Sequence, residues 1–204
     1  MKIQRHAKTS LAIALGAIAI ATLGSAAALA QGDHGHGTSD PREAAGAQKR
    51  NGGGLIAVVR EATERYKSVA AAEADGYELQ FGCVSGPDSG AMGLHYVNGP
   101  LVMDGELDAT RPEIIIYEPT PGGRPRLIGA DYLVLADAWN AKHSGPPELM
   151  GQLFHLFESP NRFGLPAFYT LHVWAWKDNP KGAFVNWHPS VSCGSYAGQK
   201  PVSR

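Results

Sequence analysis

From residue 77 onward the apolar positions come in short runs, and each run is closed off by glycine or proline. That pattern predicts an antiparallel sheet, with strands over 77–84, 92–97, 113–118, 126–135, 152–157 and 167–176. Gly86-Pro87-Asp88, Asn98-Gly99-Pro100 and Gly145-Pro146-Pro147 separate them, glycine supplying positive φ and proline fixing φ where the chain must turn. Ahead of the sheet, Leu55, Val58, Val59, Ala62, Tyr66, Val69 and Ala70 recur near helical spacing, and Gly76 is a natural terminator. The spacing predicts one amphipathic helix from Leu55 to about residue 75. An N-terminal helix packed on a curled, mostly antiparallel sheet of about six strands, closing toward a barrel, is an α+β architecture. Residues 55–204 form its single globular domain.

The first 54 residues read differently. Lys2, Arg5 and Lys8 precede an apolar stretch from Leu11 to Leu23, and Ala28-Leu29-Ala30 offers a small-x-small cleavage site, so residues 1–30 are expected to be an export signal. Its apolar stretch of about 13 residues falls short of the ~20 that span a membrane. Residues 31–54 carry glycine, alanine, serine and charge without apolar periodicity, the composition of a flexible linker. The mature chain is therefore expected in the periplasm or the medium, with no membrane partner after cleavage. Removing the three basic residues of the signal leaves 15 basic against 19 acidic, a net charge of about −4 that gives nucleic acid no electrostatic footing.

Export changes the reading of the two cysteines, Cys83 and Cys193. An even pair in an oxidising compartment predicts a disulfide, here closing a loop of about 110 residues. A thiolate ligand or nucleophile would need a setting that lowers the thiol pKa, and the sequence around Cys83 offers none.

Chemistry is expected where a polar side chain interrupts an apolar run. His95 follows Gly93-Leu94, Asp131 sits within Leu127 to Leu135, His155 lies in Leu153-Phe154-His155-Leu156-Phe157, and His172 lies in Leu171-His172-Val173-Trp174. Buried imidazoles and carboxylates need partners, and the least costly arrangement is to satisfy one another or share a metal ion. Three imidazoles and a carboxylate suit a divalent transition metal such as Zn, Cu, Ni, Mn or Fe(II), and affinity alone does not choose among them. The folded part has no His-x-His, His-Glu-x-x-His or Cys-x-x-Cys, so the ligands must be assembled by tertiary structure.

Strand alternation places His172, Trp174 and Trp176 on one face, and Tyr96 follows His95, so these three aromatics are expected to wall a cavity for a metal ion or small molecule. Gly-x-Ser-x-Gly is absent, and the glycine-rich stretches lack the Lys-Ser/Thr of a phosphate loop. Glu113 and Glu118, five apart on a strand, point to opposite faces and do not make a glycosidase pair. Three classes remain open: a binding protein for a metal or small ligand, a metal-dependent enzyme with Asp131 or Glu118 as its acid or base, and a structural protein whose tryptophans are core.

The segments 90–98 (GAMGLHYVN), 111–118 (RPEIIIYE) and 171–180 (LHVWAWKDNP), closing with Val191-Ser192-Cys193, resemble a family of small exported bacterial proteins. The resemblance spans roughly residues 70–193 and implies a single exported domain. It carries no activity with it.

Overall fold

The structure, a computed structural model, describes residues 41–198. The expected export signal over 1–30 and the first part of the expected linker, 31–40, lie outside the described residues. Helix α1 (Pro41–Thr63) leads into a 3-10 turn (Glu64–Lys67) and helix α2 (Val69–Ala74). The sequence predicts one continuous helix here. The chain instead breaks at Ser68, which is extended at φ −94° and ψ 116°, and the Tyr66 carbonyl accepts from the Tyr117 hydroxyl at 2.7 Å rather than serving a helix. Gly52 is buried, and a Cβ there would come within 2.9 Å of the Phe184 ring, so the end of the stretch expected as linker lies in close contact with the domain.

Six strands form one antiparallel sheet. They are β1 (Glu78–Gly86), β2 (Gly90–Val97), β3 (Ile114–Glu118), β4 (Arg126–Leu135), β7 (His155–Phe157) and β8 (Phe168–Val173), in the order β1-β2-β3-β4-β8-β7. Short helices α3 (Gly99–Asp104) and α4 (Ala136–Asn140) sit in its connections, and β5 (Glu148–Leu149) pairs with β6 (Gln152–Leu153) in a separate ribbon. The run expected as one strand over 152–157 is thus divided between two sheets. Phe154 marks the division, its N–H bonded to the Pro147 carbonyl.

The sheet is curled. Register shifts interrupt the β1–β2 pairing at Gln80/Cys83 and the β3–β4 pairing at Ile116/Tyr117, and bulges of this kind bend a sheet and increase its twist. Gly93 permits a close approach within the sheet: its φ is 106°, and a Cβ there would lie 2.4 Å from the Tyr117 carbonyl oxygen.

One face of the sheet is taken up by the helical layer. Leu55 and Val59 of α1 pack with Ala130, Tyr132 and Val173, while Tyr66 packs with Tyr77, Tyr96 and Tyr117. Burying such side chains contributes about 1.5 to 3 kcal/mol each. Cys83 and Cys193 are joined by a disulfide across 110 residues, tying β1 to the segment that follows the tryptophans. Among the described residues no helix is long and apolar enough to cross a membrane.

Candidate metal centre

The opposite face carries the polar residues. Ile116 of β3 is the register partner of His95, Ile114 is the partner of Asp131 on β4, and Asp131 is the partner of His172 on β8. Cross-strand partners share a face, as do residues two apart on one strand, so His95, Asp131 and His172 all project from the side away from α1. Strands β2 and β8 are three spacings apart, roughly 14 Å in a flat sheet. The His95 and His172 ring centroids are 6.3 Å apart. Curling makes up the difference. Among the described residues these three form a group in which each offers one ligand atom, all within 4.8 Å of one another, and all three are buried.

His95 Nδ1 lies 3.2 Å from the Gly93 carbonyl oxygen. Donation there leaves the Nε2 lone pair to point elsewhere. Burial pushes the His95 imidazole down to about 4, so it is neutral at physiological pH, the form that binds a metal. Burial also pushes the Asp131 carboxyl up to about 7, against the Thr170 hydroxyl, which donates to Oδ1 at 2.5 Å.

His172 is the exception among the described residues. It is 1% exposed, and among the described residues nothing hydrogen-bonds to either of its ring nitrogens. The nearest carboxylate oxygen, Oδ2 of Asp131, is 3.8 Å from Nδ1, too far for a hydrogen bond. Burial, then the neighbouring His95 and His188, push its pKa well below the ordinary imidazole value. An unsatisfied buried polar atom costs about 1 to 3 kcal/mol, and a cation between the three side chains would remove that cost for the one nitrogen that binds it.

Two imidazoles and a carboxylate form a donor set for divalent transition ions, Zn and Fe(II) among them. Two ligand atoms each ~2.1 Å from an ion are at most ~4.2 Å apart, so a separation of 4.8 Å closes with a small inward movement of the side chains.

The other expected site residues lie elsewhere or play other parts. His155 is exposed on edge strand β7, as are Leu156 beside it and Leu153 on β6, and it does not join the group. Tyr96 points into the helical layer, its ring 5.0 Å from that of Tyr117. Trp174 does flank the site, its ring 4.4 Å from His172, and its indole N–H donates to the Val185 carbonyl. Trp176 lies past the end of β8, where alternation no longer holds. It donates to the Thr63 hydroxyl at 2.9 Å and carries the Lys67 ammonium over its ring.

Glu118 is paired with Arg126 and Lys177; although burial opposes ionisation, these two cations hold its carboxyl below the ordinary value, which makes it a poor proton donor. Thr170, which is not among the residues expected from interrupting an apolar run, shares a face with His172 by standing two residues before it. That spacing was its only signal.

In front of His95 and Asp131 lies a cavity of about 30 Å³. His95, Asp131 and Thr170 supply its polar end, and Ile114, Leu133 and Phe168 wall it. Its more exposed side is made by Phe81, Phe157 and Phe163. No family model, curated protein or solved structure matches the chain.

Proposed function

We propose that this is an exported protein, delivered by a cleaved N-terminal signal, that binds a divalent transition metal ion through His95, Asp131 and His172. The observation that carries the reading is His172: a buried imidazole whose two nitrogens have no hydrogen-bond partner among the described residues, within reach of a second imidazole and a carboxylate. Such a group is costly in a metal-free core and well placed as a ligand. Trp174 packs beside it and keeps water from the ion.

The test is the metal content of the mature protein, prepared without a histidine tag, before and after chelation. One ion per chain is expected, with His95→Ala and His172→Ala each losing most of it. The double variant should bind little worse than either single one, because ligands of one ion are not additive. Asp131→Asn should weaken binding with the fold intact. If the single changes instead lower stability by about 1 to 3 kcal/mol each, the two costs sum, and no ion is lost, the reading fails.

A further inference from the structure

We infer that the centre is an open one: with Fe(II) held by His95, Asp131 and His172, a neutral diatomic molecule such as dioxygen enters the adjoining cavity and takes a coordination position on the ion. This rests on the metal reading above and adds the occupant of the remaining position.

Four observations converge on it. Three protein ligands leave at least one position vacant on a four-coordinate ion and three on a six-coordinate one, whereas structural zinc sites close with four protein ligands; two histidines and one carboxylate with open positions is the set that suits non-haem Fe(II). All three ligands project from one face of the sheet, and two of them, His95 and Asp131, line the cavity itself. The space is small. A single water needs about 10 to 15 Å³, so about 30 Å³ accommodates a diatomic molecule.

The fourth observation is the character of the walls. Away from the ligands and Thr170, Asn186 is the one polar side chain on a lining of aliphatic and phenyl groups. Water and ions lose hydration there without compensation, and a poorly hydrated gas does not. The approach from solvent is apolar as well: an open groove on the surface shares Phe81, Val97 and Leu165 with the cavity. Phe81 is 43% exposed, packs edge-on against Phe163 at 5.4 Å, and has a φ of 62°. A bulky residue in that backbone region is an outlier, and such strain gathers where a side chain is held for use. Coordination as written is reversible; no bond within the gas is broken and no electron donor is invoked.

The experiment uses the full mature chain, loaded with Fe(II) under anaerobic conditions and exposed to nitric oxide as the diatomic probe. The ferrous nitrosyl has a half-integer-spin EPR signal that an iron without an open position does not give. Wild type should hold one Fe(II) per chain and give the signal. Val97→Phe, which adds a ring to the cavity wall, should keep its iron and weaken nitrosyl formation by about tenfold or more. Leu165→Trp, at a half-buried position, repeats the test should Val97→Phe fail to fold, with a thermal melt to establish folding.

Iron bound with no nitrosyl would make the centre a closed one and overturn the inference while leaving the metal reading intact. Zinc bound and iron refused would do the same. No metal of any kind bound would remove both. Nitrosyl formation unchanged in both filled variants would show that the cavity is not the route and overturn the inference.

Discussion

His172 and His188 are both 1% exposed and both pack against Trp174, their rings 4.4 and 4.9 Å from the indole. In one respect they are opposites. The loop that carries His188 satisfies it locally: Nε2 meets the Asp178 carbonyl at 3.0 Å, and Nδ1 accepts from the Ser190 N–H at 3.1 Å. The strand that carries His172 offers no such partner, since in a sheet the backbone groups on both sides are committed to ladder hydrogen bonds. The loop wraps His188 with its own backbone, whereas among the described residues neither β8 nor its neighbours supply a hydrogen-bond partner to His172. The contrast therefore separates a histidine that supports the fold from one that the fold alone does not explain.

The largest way to disturb one side of this comparison is the disulfide. Cys193 anchors the segment that bears His188, and its bond to Cys83 closes a loop of 110 residues. On the chain-entropy model its loss costs about 4 to 5 kcal/mol. The Cys83→Ser, Cys193→Ser double variant should show that loss in chemical denaturation, with its folded fraction still binding metal. Loss of metal from a chain that remains folded would mean that the loop positions the centre, and the two histidines would then belong to one unit.

A like-for-like replacement sharpens the contrast further. His188→Phe strands the Ser190 N–H and the Asp178 carbonyl, and should destabilise the protein by about 1 to 3 kcal/mol while metal binding persists. His172→Phe removes two unpaired nitrogens and strands nothing. In the metal-free protein it should be neutral or stabilising, and it should abolish metal binding. Denaturation midpoints of the two metal-free variants decide the matter: equal losses would mean that His172 has a structural partner after all.

The same contrast explains what was legible in the sequence. His95, Asp131 and His172 stood out because each interrupts an apolar run, and the cue worked where the run lies inside the sheet, buried on both faces. It misled at His155, because β7 is an edge strand whose neighbouring leucines are exposed, so a histidine there is solvated at no cost. Alternation joined Trp174 correctly to His172 and carried Trp176 along with it, for nothing in the sequence marks Val173 as the last residue of β8.

The strands were readable because glycine and proline fence them. Their curl was not, because it depends on register shifts at Gln80/Cys83 and Ile116/Tyr117 that only pairing reveals. Without that curl, His95 and His172 would not share a site. What holds His188 was not legible either, because one of its two partners is Asp178, ten residues away through an irregular segment.

The smallest expected effect concerns Glu113, a third buried polar group and the one that tests whether the satisfied class extends beyond the loop. It is 2% exposed, and Oε2 accepts from the Leu133 N–H at 3.0 Å. Burial is the leading cause that pushes its carboxyl up to about 8, although the Leu133 N–H works in the opposite direction. The folded state then binds this proton more tightly than the unfolded chain does, so the stability it contributes is fully present below about 4.5 and is lost as pH rises through about 8. Asp131, raised to about 7 for the same leading reason, adds a loss in the same direction at lower pH. The loss due to Glu113 should run from about pH 4.5 to about 8, and its last part, on the order of 1 kcal/mol, should appear between pH 7 and 9 where Asp131 adds little. Glu113→Gln keeps an oxygen for the Leu133 N–H and removes the titration, so its stability should fall less than wild type over that interval, with metal content unchanged. A slope identical to wild type would mean that Glu113 is ionised in the fold, and a loss of metal would move its carboxylate from the structural class into the centre.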